Sequence, residues 1–266
     1  MTDPEVARAA AEAGAAIVRD RFGGDHRRHD KGGLDFATDV DIDAERAIIE
    51  VLRRHRPGDH VVGEESGHTP GSGEGRTWLV DPLCGTANFA AGVQAVAVNV
   101  ALVAPGSNVA AVAIPPGGQI VVAGPGGARL YTDGGEAPLT PGGDSRLVDL
   151  DLDQRPTPTG FDPLALMADA EFRSAFQPRA TATSLALTWV AMGRRAAYVT
   201  DAPLAGNVHF AAGVTVCLAA GCALSDLRGQ PVIPGSAASG LIAAADHAAH
   251  ARLLSMVRRM VGQPPA

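Results

Sequence analysis

The chain contains 266 residues, of which 46% are hydrophobic and only 4% are aromatic, and its formal net charge is −7. This length suits one large domain or two closely packed small ones, and the apolar content excludes general disorder. The negative charge, without a cluster of basic residues, argues against nucleic-acid binding, and no apolar run reaches the roughly 18–20 residues of a membrane span.

The N-terminal part is predicted to begin with two helices. Its first residues lack the basic and apolar regions of a signal peptide, and three cysteines fit a reducing compartment, so we expect a cytoplasmic protein. Apolar residues at helical spacing predict one helix over 4–21, with Pro4 in its first turn, and another over 41–55. The segment 23–33 between them mixes Gly, His and Arg with Lys31 and is predicted to be mobile.

Short β-branched runs separated by Gly and Pro follow the second helix and predict a mostly antiparallel sheet. The predicted strands are 61–62, 78–80, 93–103, 109–114, 119–123 and 128–131.

The C-terminal part alternates between predicted strands and helices, which is typical of an α/β arrangement. The strands are 147–152, 196–199 and 222–225, and the helices are 163–175, 186–192, 211–220 and 243–261. Before them, residues 132–145 are rich in Gly, Pro and Asp and form the best candidate linker. We therefore predict an N-terminal α+β half over 1–140 and a C-terminal α/β half over 141–266.

The strongest local motif is the stretch 78–89, Trp-Leu-Val-Asp-Pro-Leu-Cys-Gly-Thr-Ala-Asn-Phe. Asp81 ends an apolar strand. Pro82 restricts the backbone path after the strand, and Gly85 allows a tight turn. A strand-to-turn junction of this kind exposes a carboxylate and directs free backbone N–H groups at an anion. The motif indicates a metal or phosphate site, and an ordinary Asp-Pro turn is the alternative.

Two further acidic motifs lie upstream and are weak by themselves. Glu64 and Glu65 follow a predicted strand, where adjacent carboxylates are usually solvated. Thr38 and Asp39 precede the second helix, where they suit N-terminal capping.

Taken together and in this order, the motifs resemble the inositol monophosphatase family over essentially the whole chain. The stretch 31–39, Lys-Gly-Gly-Leu-Asp-Phe-Ala-Thr-Asp, is similar to the family's Lys…Asp-x-x-Thr-x-x-Asp stretch, and Gly-Glu-Glu follows at 63–65. Residues 81–89 resemble its Asp-Pro-(Ile/Leu)-Asp-Gly-Thr-x-Asn-Phe motif, and 208–213 resemble its Trp-Asp-x-Ala-Ala-Gly motif. The resemblance implies a layered αβαβα sandwich of the inositol monophosphatase and fructose-1,6-bisphosphatase type, a homodimer and a small-molecule substrate.

The family hydrolyses phosphate monoesters of small molecules with two or three Mg²⁺ ions. By resemblance, Glu64, Asp81 and the Leu83 carbonyl bind the first Mg²⁺. Thr86 and Glu64 orient the attacking water, with Asp39 in support. These oxygen ligands suit a hard ion such as Mg²⁺.

The resemblance also assigns substrate contacts and a lid. Gly85, Thr86, Thr183 and Ser184 correspond to substrate-binding positions of the family. Lys31 lies in the segment that folds over the active site in relatives, so it is predicted to belong to a lid.

Two positions depart from the family's pattern. The second metal is held in the family by Asp81 and two further aspartates, and this chain has Cys84 and His209 in their place. A thiol and an imidazole are poor ligands for Mg²⁺. We therefore predict that ordinary two-Mg²⁺ phosphatase activity is absent or strongly impaired, and that the enzyme has been repurposed for non-phosphatase small-molecule, biosynthetic chemistry.

Several alternatives remain for Cys84 and His209. They can form a metal-free nucleophile or acid/base pair, with Asp81 or Asp39 orienting the imidazole. They can bind a softer ion such as Zn²⁺ together with Asp81. The remaining alternatives are a residual Mg²⁺-dependent phosphate monoesterase and a non-catalytic pseudoenzyme.

Overall fold

The computed structural model describes residues 1–142, 144–153, 159–235 and 237–261. Helices and strands of these residues are numbered in chain order as follows: α1 Asp3–Arg21, β1 Arg28–Gly32, β2 Asp35–Thr38, α2 Asp39–His55, β3 His60–Gly63, β4 Gly67–Thr69, β5 Thr77–Cys84, α3 Thr86–Ala90, β6 Ala97–Val103, β7 Val109–Ile114, β8 Gln119–Gly124, β9 Gly127–Thr132, β10 Gly135–Pro138, β11 Leu147–Leu150, α4 Pro163–Ala168, α5 Ala170–Ala175, β12 Gln177–Ala180, α6 Leu185–Ala191, β13 Ala197–Pro203, α7 Val208–Ala220, β14 Ala223–Ser225, β15 Ser239–Ala244 and α8 His247–Met260. The architecture is mixed α and β, as the sequence predicts.

The chain forms two compact units, and neither is one continuous stretch of sequence. The first comprises Met1–Pro138, Thr183–Leu185 and Val208–Val216. The second takes the described residues of Leu139–Ala182, Ala186–Asn207 and Cys217–Ala266. The first long segment ends close to the predicted boundary at 140. The two short later segments bring Thr183, Ser184 and His209 into the same unit as the N-terminal motifs.

The first unit is built on an eight-stranded sheet in the order β10-β9-β8-β7-β6-β5-β3-β4. Neighbouring strands are antiparallel except β3 and β5, which run parallel with Gly63 opposite Val80. Because the carboxyl ends of parallel neighbours lie at the same edge of a sheet, the residues that follow β3 meet those that end β5. This pairing places the Gly-Glu-Glu motif beside Asp81.

Helices α1 and α2 pack on this sheet and form the core of the first unit. Ile48 of α2 is fully buried, as are Trp78 and Val98 of the sheet. Gly14 of α1 lies against Ile48 and Val98, and a Cβ atom there would be 2.7 Å from Ile48 Cδ1. A larger residue at this position would therefore displace the Ile48 side chain.

The second unit contains a five-stranded sheet in the order β12-β11-β13-β15-β14. Strand β11 runs parallel to β12 and β13, and β15 runs antiparallel to β13 and β14. Phe161, Leu166, Phe172, Leu253 and Met256 are fully buried in its core. In the described part of the chain, no helix has the length and apolar character to cross a membrane.

Several sequence predictions are wrong in detail. The segment 23–33, predicted without a strand, contains β1, which pairs with β2 in a hairpin; its mobility stays a prediction. The single helix predicted over 163–175 is two helices, because Asp169 has an extended backbone and caps α5 by accepting from Phe172 N. The helix predicted over 243–261 begins only at His247. Residues Ser239–Ala244 form β15, since their apolar run is buried between β13 and β14.

Candidate metal-binding and catalytic site

Asp81 lies at the point where the β5 ladder becomes irregular. The register of β5 with β6 shifts between Asp81 and Cys84. Toward β3, the other neighbour of β5, Val80 O accepts a hydrogen bond from Glu64 N at 3.0 Å. The following turn depends on Gly85, whose φ is +95° and whose Cβ position would be 2.9 Å from the Ala95 carbonyl oxygen. The Asp81 side chain is thereby held in a buried position at the sheet edge.

Asp81, Cys84 and His209 converge in the first unit. Their potential ligand atoms all lie within 4.8 Å of one another. His209, in the first turn of α7, donates from Nδ1 to Asp81 Oδ2 at 2.9 Å. The His209 side chain is 43% exposed, whereas Asp81 is fully buried. The imidazole is therefore the member of the cluster that faces solvent.

The Cys84 sulfur is buried and surrounded by polar hydrogens. Ser184 N donates to Sγ at 3.2 Å, Ser184 Oγ lies 3.0 Å from it, and Thr183 Oγ1 lies 3.5 Å from it. Thr183 and Ser184, predicted to bind substrate, are themselves buried against the thiol. Their role in substrate binding stays a prediction.

Asn99 is a site residue that the sequence analysis missed. Its Nδ2 donates to Ser184 Oγ at 3.0 Å and to Asp81 Oδ2 at 3.3 Å. It lies on β6 opposite Asp81, and a lone asparagine in an apolar run was the only sequence signal. With its amide donating to Ser184 Oγ, the hydroxyl hydrogen is free to donate to the Cys84 sulfur.

One oxygen of Asp81 is unsatisfied. Oδ2 accepts from His209 and Asn99, but buried Oδ1 has no hydrogen-bond partner among the described residues. A buried carboxylate oxygen without a partner is costly, and a bound cation is one arrangement that removes the cost.

Lys31 bridges the two glutamates of the Gly-Glu-Glu motif. Its Nζ lies 3.1 Å from Glu64 Oε1 and 2.6 Å from Glu65 Oε1. Glu64 Oε2 lies 4.0 Å from His209 Nδ1, so Glu64 connects the hairpin to the Asp81 cluster. Lys31 is on β1, and its function as part of a lid stays a prediction.

Thr86 is paired with Asp41 and not with Asp39. Thr86 Oγ1 lies 2.8 Å from Asp41 Oδ1 and 3.1 Å from the Leu83 carbonyl oxygen. Asp39 instead accepts from Arg27 N at 2.9 Å and pairs with the Arg21 guanidinium. The structure therefore does not bring Asp39 to the predicted water-orienting group. Asp41, the last aspartate of the Asp-x-x-Thr-x-x-Asp spacing, is the residue that contacts Thr86.

Glu45 is a second acidic residue of α2 that the sequence analysis missed. It is buried and accepts from Glu65 N at 2.9 Å and Ser66 N at 2.8 Å. A Cβ atom at Gly63 would lie 2.5 Å from Glu45 Oε2, so glycine is required there. Glu45 therefore holds the turn that carries Glu64.

The cluster shifts the pKa values of its members. Burial and the charge of Asp81 raise the pKa of Glu64 to about 8 and also raise the pKa of the Cys84 thiol. Burial opposes protonation of His209, but hydrogen bonds to Asp81 and Cys84 raise its pKa to about 12. Without a bound cation, the groups at neutral pH are a protonated imidazole and a neutral thiol.

The ligand sets suit two different kinds of ion. Glu64, Asp81 and the Leu83 carbonyl are hard oxygen donors that fit Mg²⁺, and the unsatisfied oxygen of Asp81 agrees with a cation there. Asp81, Cys84 and His209 combine a carboxylate with a thiol and an imidazole, which do not fit Mg²⁺. The residues present therefore support at most the first of the two Mg²⁺ positions implied by the family resemblance.

Comparisons with known proteins agree with the fold and the motifs. The model of the inositol monophosphatase family matches residues 3–261. The inositol-1-monophosphatase ImpA of Mycolicibacterium smegmatis is 32% identical over 249 residues, which span 88% of this chain and 84% of that protein. The inositol-1-monophosphatase of Caulobacter vibrioides is 44% identical over 81 residues, which span only 32% of that protein.

Solved structures show the same architecture. The extragenic suppressor protein suhB of Bartonella henselae superposes with a TM-score of 0.80 at 24% identity, over 95% of this chain and 96% of that chain. Mycobacterium tuberculosis SuhB superposes with a TM-score of 0.73 at 26% identity, over 96% of this chain and 95% of that chain. The predicted fold class is confirmed, and the chain belongs to the inositol monophosphatase family.

Proposed function

We propose that this protein is a small-molecule enzyme whose reaction centre is the cluster of Asp81, Cys84 and His209, and that it is not an ordinary two-Mg²⁺ phosphatase. The observation that carries the proposal is the convergence of these three side chains, with His209 Nδ1 2.9 Å from Asp81 Oδ2. A thiol and an imidazole occupy positions where the family resemblance expects carboxylate ligands of Mg²⁺.

His209 is the group that we expect to face the substrate. It is the exposed member of the cluster, and Asp81, which also accepts from Asn99, orients its ring. Cys84 is buried and its pKa is raised, which weighs against a thiolate nucleophile in the absence of a metal. Because His209 is protonated at neutral pH, the reaction class that these roles favour is proton donation to a small metabolite, as in an addition or a cyclisation.

A phosphate-release assay with restored aspartates tests this proposal. Against a panel of sugar, inositol and nucleotide monophosphates with Mg²⁺, we expect no turnover from the wild type at the usual 1–10³ s⁻¹. The double variant Cys84→Asp/His209→Asp restores oxygen ligands and is expected to gain Mg²⁺-dependent phosphate release. Ordinary turnover by the wild type would refute the proposal, and so would a double variant that folds but is no more active than the wild type.

A residual Mg²⁺-dependent phosphate monoesterase is the second candidate. It is favoured by the unsatisfied Asp81 Oδ1 and by the contacts of Thr86 with Asp41 and the Leu83 carbonyl, which leave the oxygen ligands of one Mg²⁺ in place. This candidate predicts wild-type phosphate release in the same panel and its loss in Glu64→Gln. The non-catalytic alternative predicts no activity and a binding partner whose affinity survives Cys84→Ala/His209→Ala.

The assembly of the protein is proposed from the family resemblance, and its location and partners are proposed from its composition and charge. We propose a homodimer in the cytoplasm, acting on a small-molecule substrate without nucleic-acid or membrane partners. Light scattering on the purified protein gives the oligomeric state directly, and a monomer at micromolar concentration would contradict the homodimer.

A further inference from the structure

We propose that Asp81, Cys84 and His209 bind one soft divalent cation of the Zn²⁺ class. The inference rests on the proposed function, because it supplies the cofactor of the same reaction centre. The proposed cation would lie where the family resemblance places the second Mg²⁺, in the first unit of the chain.

The spacing of the three side chains suits a tetrahedral ion. Their ligand atoms lie within 4.8 Å of one another. In a tetrahedral site with Zn–S near 2.3 Å and Zn–N or Zn–O near 2.0 Å, ligand atoms are about 3.3–3.6 Å apart. Side-chain movements of about 1 Å therefore bring all three to bonding distance of one ion.

The unsatisfied oxygen of Asp81 is a second observation that points to a cation ligand. Asn99 and His209 both use Oδ2, so that Oδ1 is the oxygen left free, and it is fully buried. A hydrogen-bond donor is the usual partner of such an atom, but no described residue supplies one. A cation bound by Oδ1, Cys84 Sγ and His209 satisfies this oxygen without moving Asn99.

The surroundings of Cys84 are those of a metal thiolate. Two donors of Ser184 reach Sγ, and Asn99 Nδ2 ties the Ser184 hydroxyl to Asp81. Outer hydrogen bonds of this kind orient ligands and stabilise the negative charge of a coordinated sulfur.

The ligand types select the ion. Thiolate and imidazole favour Zn²⁺ and its softer neighbours over Mg²⁺ or Ca²⁺. Three protein ligands leave one position of a tetrahedral ion open, as in catalytic zinc sites. An ion bound there would polarise an oxygen of the substrate. Glu64 would lie beside this ion, because Glu64 Oε2 is 4.0 Å from His209 Nδ1.

Cobalt substitution tests the site without an activity assay. Titration of Co²⁺ into chelator-treated protein is expected to give one equivalent of tight binding and a near-ultraviolet thiolate-to-cobalt charge-transfer band. The band is expected to disappear in Cys84→Ser and to persist in Cys217→Ser and Cys222→Ser, whose thiols lie in the second unit. Ser184→Ala is expected to weaken Co²⁺ binding by about 10–100-fold, because it removes an outer hydrogen bond to the sulfur.

Metal analysis of the protein as purified gives the second measurement. We expect about one Zn²⁺ per chain in the wild type and loss of that zinc in His209→Ala, with circular dichroism confirming that each variant is folded. Absence of the cobalt band, or a band that survives Cys84→Ser, overturns the inference.

The outcomes separate this inference from the proposed function. No cobalt band together with gain of phosphatase activity in Cys84→Asp/His209→Asp would refute the soft-ion site and leave a metal-free His209 centre. A cobalt band together with ordinary Mg²⁺-dependent phosphate release by the wild type would support the ion and refute the proposed function.

Discussion

A single carboxylate, Asp81, is shared by the side chains that form the proposed reaction centre. On one side it accepts from His209, and on the other from Asn99, which also contacts Ser184 beside Cys84. Because these contacts form one connected network, the loss of one member leaves buried partners unsatisfied. The effects of single substitutions here are therefore expected to be non-additive.

Glu45 is the residue that we expect to matter most without touching a substrate. Its buried carboxylate satisfies the N–H groups of Glu65 and Ser66, and thereby orients the turn that carries Glu64. Hydrogen bonds to a charged group contribute about 1.5–3 kcal/mol each, more than neutral ones.

Glu45→Gln is predicted to lower the free energy of unfolding by about 2 kcal/mol, because the amide NH₂ cannot accept from a second backbone N–H. Urea denaturation measures this change. Glu50→Gln is the matched control on the same helix, since Glu50 is exposed and forms a surface ion pair with Arg54. We expect a change within about 0.5 kcal/mol. Equal effects of the two substitutions would show that Glu45 does not hold the turn.

At the scale of elements, α2 aligns two parts of the site. Asp41 and Glu45 are one helical turn apart on the same face, and both are buried. Asp41 contacts Thr86 after β5, and Glu45 contacts the turn after β3. The helix therefore sets the distance between the Gly-Glu-Glu motif and the Gly-Thr motif.

A charged cluster joins the start of α1, the end of α2 and the start of β5. Asp3 Oδ1 accepts from Arg56 at 2.8 Å and from Arg76 at 3.0 Å, and Arg76 also pairs with Asp59. Burial alone would raise the pKa of Asp3, but its hydrogen bonds with Arg76 and Arg56 hold that pKa below its usual value.

Asp3→Asn is predicted to destabilise the protein by about 0.5–1 kcal/mol at pH 7, a small value because solvent screens the cluster. A lowered folded-state pKa means that the stabilisation is present above the unfolded-state pKa and is lost as pH falls through the folded-state pKa. The difference between wild type and variant should therefore decrease in acid, as urea denaturation at decreasing pH would show. Asp20→Asn, at an exposed aspartate 3.7 Å from Arg19, is the control with no expected change.

At the scale of the whole molecule, the chain has the family fold, while Cys84 and His209 stand where the family motifs have aspartate. The match of the family model over residues 3–261 and the TM-score of 0.80 to a solved relative both concern the scaffold. Fold is determined by many core residues together, whereas a reaction depends on a few side chains. Two exchanged ligands can therefore change the chemistry without altering the architecture.

Removal of the proposed ion is predicted to lower the stability of the whole protein. A ligand at 100 times its Kd stabilises the folded state by about 2.7 kcal/mol. Addition of a chelator to zinc-loaded wild type should therefore lower its Tm by several degrees, about 5–10 °C for a chain of this size. The variant Cys84→Ser/His209→Ala should melt at one temperature with or without chelator, and a similar chelator effect on both proteins would place the stabilising ion elsewhere.

The sequence by itself determined the fold class and the turn that carries Asp81. The apolar spacing of α1 and α2 and the Asp81–Gly85 turn are local features, since the residues that specify them are neighbours in the chain. The family motifs located Glu64 and Thr86 for the same reason. The exchanged residues Cys84 and His209 were visible because they interrupt those motifs.

Only the tertiary structure decided which side chains meet. The contact of Cys84 with Ser184 joins residues 100 positions apart, and that of His209 with Asp81 joins residues 128 positions apart. Asp39 and Asp41 have the same side chain and lie two positions apart on α2. Because residues two apart on a helix point in different directions, Asp41 contacts Thr86 and Asp39 contacts Arg21. Long-range contacts of this kind depend on how β3, β5 and α2 pack, and no local sequence pattern encodes that packing.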